Sequence, residues 1–375
     1  MNVLVIATKA PWPPIDGGRF LLLNTLRALA ESGVRLTLVA PVDREIEAVA
    51  RELSPFCEPA LVQASPIPPA LAALRSPGTP LSIARHSLGA VRSEVERRLA
   101  SGGFDVVHAE QLQALPQAEP AFRRGLPVVL RAQNVESDLW AATAGRARGL
   151  RGLLLRREAR RLAAWEGQAV RRAAATLSLT REDAARLREL AGGAGNVQVV
   201  RAAFPDLPPG SGRLPGDPAV VLFGSRGWLP NEEATDWFLA EVWPVVKATV
   251  PGAVLHVFGA GPHPSPKDSA EVYAPGSILA VPLRIASGVR IKILEAWARG
   301  VPVVASPAAL SGLEAQNGRE ALVARDSIEF AAAIARLQRE PGLRESLIEE
   351  GRRARRERHD PAEIARQLLE VYGSL

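Results

Sequence analysis

The chain has 375 residues, 47% of them hydrophobic, with 46 Lys plus Arg against 40 Asp plus Glu and a formal net charge of +6. That length suits two domains that each bury a core, and the composition excludes wholesale disorder. A single cysteine, Cys57, excludes a disulfide framework and fits a reducing compartment. Lysine occurs only at Lys9, Lys247, Lys267 and Lys292, so arginine carries the basic excess. Such an excess reads either as an anionic partner or as a GC-rich genome, and its position along the chain must separate the two.

From the N-terminus, the apolar run Asn2–Ala7 has no basic leader before it and no small-residue cleavage site after it. It is expected to be a first strand, not a signal peptide. Short apolar runs follow at Leu36–Ala40, Asp105–His108, Val128–Ala132, Thr176–Leu179 and Val197–Val200. Helical patterns separate them, as in Phe20–Glu31, where Phe20, Leu23, Leu26, Leu29 and Ala30 form a stripe. This alternation predicts an α/β fold with a parallel sheet covered on both faces. No run approaches the roughly 18 apolar residues of a membrane span.

Pro, Gly and Ser dominate residues 204–218, which have no period and are expected to be a linker. Beyond it, strands are expected at Ala219–Phe223, Val254–Phe258, Ile278–Val281 and Val301–Ala305, with helices at Asn231–Thr249 and Val289–Arg299. Three more helices are expected near 327–339, 342–358 and 361–372. The chain thus divides into domains 1–203 and 219–360, with the allegiance of a last helix in 361–375 left open.

Both halves open as strand, Gly/Pro-rich turn and helix. The first turn ends in Gly17-Gly18, and the second runs from Gly224 through Arg226 to Asn231. Unpaired N–H groups and a positive dipole at such helix starts suit an anion, although any strand-to-helix turn uses glycine.

Several chemistries are absent from the pattern. There is no phosphate loop, no nucleophile elbow and no third glycine after Gly259-Ala-Gly261. The five histidines show no metal-ligand spacing and there is no D-x-D, so neither a metal nor another cofactor is expected.

The segment from Ala280 to Ala305 is the richest. A strand ends near Pro282, Ser287 is a candidate N-cap, and Gly288 would let backbone approach a ligand. Arg290 and Lys292 fall in the first helical turns, where cations oppose the dipole, which suggests a bound anion such as a diphosphate. Glu295 lies four residues before Arg299, the spacing of an exposed ion pair.

This segment resembles the nucleotide-sugar signature of glycosyltransferase family 4. Other features match in order: Pro13-Pro14 with Gly17-Gly18-Arg19, Phe104–His108, Pro127–Glu136 with Gln133-Asn134-Val-Glu136, Phe223–Asn231, and Glu340–Arg352. The likeness spans essentially the whole chain and is greatest to bacterial exopolysaccharide-type sugar transferases. It implies a GT-B fold, two Rossmann-like domains facing a cleft, with the last helix returning to the first domain. It also implies retaining, metal-independent transfer from a nucleotide-diphosphate sugar to a glycan or lipid-linked acceptor in polysaccharide biosynthesis. Glu295 would hold the ribose, while Arg290, Lys292, Ser287, Gly288 and Arg226 would serve the diphosphate. Gly17 and Gly18 would approach the donor phosphate or the acceptor. Gln133, Asn134 and Glu136 are the candidate catalytic residues.

Four positions depart from the family pattern. Ser287 stands where a glutamate commonly precedes Glu295 by eight residues, and Gln133 replaces a histidine. An Arg…Lys pair is reduced to Arg226, with Asn231 near the lysine's place. The stretch between Pro262 and Ala274 is short by about one strand–helix unit, so the second domain is expected to be reduced. The alternative is a degenerate GT-B protein that binds a partner or nucleotide sugar without catalysis.

Residues 146–172 hold nine arginines against Glu158 and Glu166, a local +7 that accounts for the whole net charge. Leu154, Leu155, Leu162 and Trp165 could line an apolar stripe on this helix. It reads either as a helix packed on the first domain with solvated arginines, or as a contact with anionic membrane. Without a recognisable module or aromatic interleaving, nucleic acid is not an expected partner. The expected location is the cytoplasm, with the membrane reading placing the protein on its inner face.

Overall fold

The computed structural model describes the chain apart from residues 225–228, 260, 261, 265, 267 and 286, and the side chain of Leu229. It forms two compact units, Met1–Ala203 with Pro361–Leu375, and Phe204–Asp360. The Pro/Gly-rich stretch 204–218 clusters with the second unit, and Phe204 is fully buried.

In the first unit, β1 (Asn2–Ile6), β2 (Arg35–Val42), β3 (Glu58–Gln63), β4 (Val106–Glu110), β5 (Val128–Ala132), β6 (Ala175–Ser178) and β7 (Val197–Val199) form one sheet. Its order is β3-β2-β1-β4-β5-β6-β7, and every pairing is parallel. Central strands such as β1 and β5 are largely apolar because helices cover both of their faces, with Arg131 of β5 a buried exception. Helix Gly17–Glu31 starts where Asp16 accepts the Arg19 N–H at 3.0 Å. Its burial is broader than the expected stripe: Leu21, Leu22, Leu23, Leu26, Ala28 and Leu29 are buried, whereas Phe20 and Ala30 are half-buried. The breadth follows from helix Pro361–Gly373, whose Ile364, Ala365, Leu368, Val371 and Tyr372 join the same core.

In the second unit, β8 (Ala219–Phe223), β9 (Val254–Phe258), β10 (Ser277–Val281), β11 (Val303–Ala305) and β12 (Leu322–Val323) give the order β12-β11-β10-β8-β9. Both sheets grow from a central first strand through a second. The first sheet then adds β3, whereas β9 has no neighbour beyond it among the described residues. Among the described residues, the stretch between β9 and β10 holds only a 3-10 turn, Ser269–Glu271. Expected helix 231–249 is in fact Leu229–Trp237, a π segment Phe238–Val242 and Trp243–Thr249; Pro244, which lacks an N–H, falls at the restart.

Candidate active site

Strands β1, β4 and β5 are adjacent, and polar residues at or just beyond their ends meet in one buried network. Glu110, 2% exposed, closes β4. Its carboxylate accepts from Gln133 Nε2 at 2.7 Å and from His108 Nε2 at 3.1 Å. A carboxylate only accepts, so the His108 proton sits on Nε2, and Nδ1 accepts from the Tyr372 hydroxyl at 2.7 Å. On the other arm, Gln133 Oε1 accepts from Gln111 Nε2 at 2.9 Å, and Gln111 Oε1 accepts from Thr8 Oγ1 at 2.6 Å. Every donor in both arms therefore points toward Glu110. Burial acts to raise its pKa, but Arg131, 3.9 Å away, together with His108 and Gln133, holds it below the ordinary value.

Gly18 sits against this network. A Cβ there would lie 2.9 Å from Gln133 Oε1 and 3.2 Å from Gln111 Nε2. The turn uses glycine to bring backbone this close to the glutamine pair.

Helix Glu136–Arg146 follows Asn134 closely and has no capping side chain at its own N-cap. The long helix Gly149–Arg172 supplies one. Glu166, 1% exposed, accepts from the Glu136 N–H at 2.9 Å, the Ser137 N–H at 3.2 Å and the Ser137 hydroxyl at 2.6 Å. Burial outweighs these bonds and, with Glu136 nearby, raises its carboxyl to about 7. Glu136 is itself raised by burial, against hydrogen bonds from Gln113 and Asn134.

The second unit's cluster lies after β10. Ser287 does not cap the helix there: the helix runs Ile291–Arg299, and its N-cap residue is Arg290. Gly288 takes φ +70°, a left-handed turn that keeps the preceding loop out of the helix. Lys292 Nζ donates to the carbonyl of Phe223 and to Asn231 Oδ1, the latter at 2.9 Å. Burial, then the Arg290 charge, lowers its ammonium to about 7.

Glu295 Oε1 accepts from Ser269 Oγ at 2.6 Å and from Arg299 Nε at 3.0 Å. The Glu295–Arg299 pair, expected to be exposed, is buried, with both side chains 8% exposed. Its burial comes from the 208 and 269 stretches, since Arg299 also donates to the Pro208 carbonyl at 3.0 Å. Arg226 lies outside the described residues. Among the described residues no group of three or more His, Cys, Asp or Glu could hold a metal ion.

Residues 17–203 match the family model described as a glycosyl transferase 4-like domain, and residues 236–370 the one described as glycosyl transferase-like. The two take in most of the chain. It shares the fold of sucrose-phosphate synthase from Thermosynechococcus elongatus, at TM-score 0.70 and 16% identity over 100% of this chain and 98% of that one. Anabaena HepE, solved in complex with UDP-glucose, gives TM-score 0.69 and 14% identity over 100% of both chains. WaaG, a glycosyltransferase involved in lipopolysaccharide biosynthesis, gives 0.62 and 15% over 98% and 99%. The chain is a GT-B glycosyltransferase. No curated protein matches it.

The first unit of this glycosyltransferase brings Gln133 against Gly18, with Gly17 opening the same helix and Asn134 and Glu136 on the adjoining turn. The second unit places Ser287, Gly288, Arg290, Lys292 and Glu295 on one loop and helix. Glu110, Gln111, Tyr372, Glu166 and Ser269 were not singled out from the sequence. Glu166 carried a usable signal, since it follows Leu162 and precedes Val170 by four residues each, on a stripe the structure buries.

The arginine-rich segment of the glycosyltransferase spans the end of helix Glu136–Arg146 and helix Gly149–Arg172. Leu154 does not belong to a packed stripe. It is 57% exposed, beside Leu150 and Leu153, because continuous burial begins only near Ala159. Arg161 is not free for solvent: it donates to the carbonyls of Pro77 and Thr79. Among the described residues no helix is long and apolar enough to cross a membrane.

Proposed function

We propose that this glycosyltransferase is a family 4 member that moves a sugar from a nucleoside-diphosphate sugar, a UDP-sugar foremost, to a glycan or lipid-linked acceptor. The transfer retains anomeric configuration, needs no metal or other cofactor, and serves polysaccharide biosynthesis in the cytoplasm. The observation that carries this reading is the loop and helix after β10, where Arg290 and the first helical amides gather at one helix start. A diphosphate placed there meets a positive dipole and a guanidinium, and Lys292 on the same turn joins them by turning its Nζ away from the Phe223 carbonyl and Asn231. These groups neutralise the departing diphosphate electrostatically, the work a metal does in other transferases. Glu295, one turn further on, takes the ribose hydroxyls. HepE, whose fold the chain shares, was solved with UDP-glucose, which supports the choice of base.

In the first unit, Gln133 offers an amide whose orientation Glu110 and Gln111 determine. It hydrogen-bonds sugar or acceptor hydroxyls, and an amide does not shuttle a proton near neutral pH. Asn134 and Glu136 contribute polar groups from the same turn. Calorimetric titration with UDP, GDP and ADP tests the donor reading: UDP should bind, and absence of heat from all three would sink it. The anomeric configuration of the product, read by NMR, then decides between retention and inversion.

The membrane reading gains support from the exposed Leu150, Leu153 and Leu154 beside the exposed Arg151, Arg156, Arg157 and Arg160. Co-sedimentation with vesicles of anionic lipid should fall when those three leucines are replaced by Ser. Unchanged binding, or equal binding to neutral vesicles, rejects this surface as the membrane contact.

A further inference from the structure

The carboxylate that the donor reading gives to the ribose already holds a hydroxyl of this chain. Ser269 Oγ donates to Glu295 Oε1 at 2.6 Å, and that same oxygen accepts from Arg299 Nε at 3.0 Å. A ribose hydroxyl donating to a carboxylate makes the same bond, with the same donor type and acceptor. Both acidic and basic partners are buried, so solvent screens the arrangement weakly.

The serine is held in place. It opens the 3-10 turn Ser269–Glu271, whose N-cap Asp268 accepts the Ala270 N–H at 2.9 Å. Ala270 is buried and Tyr273 is fully buried, with its hydroxyl on the Lys292 carbonyl at 3.1 Å. Arg299 Nη2 lies 3.5 Å from the same Ser269 Oγ. Among the described residues this turn is the one element between β9 and β10, where the first unit has a further strand and helix after its second strand.

We propose that Ser269 acts as an internal substitute for the donor's ribose hydroxyl, and that nucleotide binding exchanges one hydroxyl for the other on Glu295. The proposal rests on the reading of Glu295 as the ribose-holding residue. Ser269 is then a residue that sets donor affinity: its bond must be broken before the ribose bond forms, so it weakens binding while keeping the buried carboxylate satisfied in the empty enzyme.

The test is calorimetric titration of the full-length protein and its Ser269→Ala variant with UDP and with 2′,3′-dideoxy-UDP. Ser269→Ala should tighten UDP binding by about three- to tenfold, the scale of one charge-assisted hydrogen bond partly offset by desolvation. It should leave the dideoxy analogue unchanged, because that ligand has no hydroxyl to take the vacated position. Ser269→Thr, which keeps the hydroxyl, should restore wild-type affinity. Binding of UDP by the variant alone also supports the exchange. Wild-type binding with no gain in Ser269→Ala, or an equal gain for both ligands, overturns the exchange and leaves the donor reading standing. Failure of both proteins to bind any nucleoside diphosphate overturns both.

Discussion

Strands β2 and β9 hold the same rank, each being the second strand of its sheet, and they live in different surroundings. β2 is buried from Leu36 to Val42 and pairs with β1 and β3. Among the described residues β9 pairs with β8 alone, and no residue of it is fully buried. The difference shows what a missing strand–helix unit does: it exposes an edge, and the short connection that remains folds back onto the neighbouring site. The connection between β9 and β10, distant from Glu295 in sequence, supplies it with a contact through Ser269. The first unit kept its full set of strands and built its polar centre from strand ends; the second built its centre from one helix and a fold-back turn.

Damage to the two centres should therefore separate cleanly. Glu295→Ala should weaken UDP binding by about 30- to 100-fold, as expected for loss of charge-assisted hydrogen bonds, and should lower the thermal midpoint by leaving Arg299 buried without its partner. Equal UDP binding by calorimetry would mean that the second unit holds the nucleotide through other groups. Glu110→Gln should cut turnover about 100-fold, the usual scale for a misplaced group, with UDP affinity kept within about twofold. Parallel losses of affinity and turnover would contradict an independent role for the first unit.

A smaller effect concerns Glu166. Its folded pKa is raised from 4.5 to about 7, so between those values the folded state holds a proton that the unfolded state has released. Stability on this account is fullest below pH 4.5 and falls by up to about 3 kcal/mol as pH rises through 7. Chemical denaturation of Glu166→Gln across pH 5 to 8 should show a flatter profile than wild type; superimposable profiles would remove Glu166 as the source. The smallest effect tests the strands themselves. Val39→Thr in β2, where Val39 is fully buried, should cost about 1–3 kcal/mol, whereas Val254→Thr in β9, 38% exposed, should stay within about 0.5 kcal/mol. Equal costs in urea melts would show that β9 is covered in solution.

Much of the fold was legible because buried parallel strands must be apolar throughout. Val3–Ile6, Val128–Leu130 and Ala219–Phe223 carry that mark, whereas Arg131, fully buried near the end of its strand, breaks it. β3 escaped notice because it opens with Glu58-Pro59 and lies at an edge, where only Ala60 is buried. β12 is two residues long and leaves no pattern. At the site, local spacing exposed the Gly17-Gly18 turn and the run from Ser287 to Glu295. It could not expose the Tyr372–His108 bond, whose partners lie 264 residues apart, or the Glu166 cap, 29 and 30 residues from its amides. Ser269 fell in a stretch noticed only for its shortness, since a serine's partner is decided by how the chain turns back.

The seat of helix Pro361–Gly373 bears on how the molecule is made. Ile364, Leu368 and Tyr372 complete the core of the first unit, and Tyr372 supplies the hydrogen bond that His108 accepts. During synthesis the first 203 residues emerge long before that helix does, with an apolar floor uncovered and one arm of the Glu110 network open. Completion of the first unit therefore waits on the synthesis of everything between, and a cut after Ala203 would yield a fragment missing a wall, not a domain.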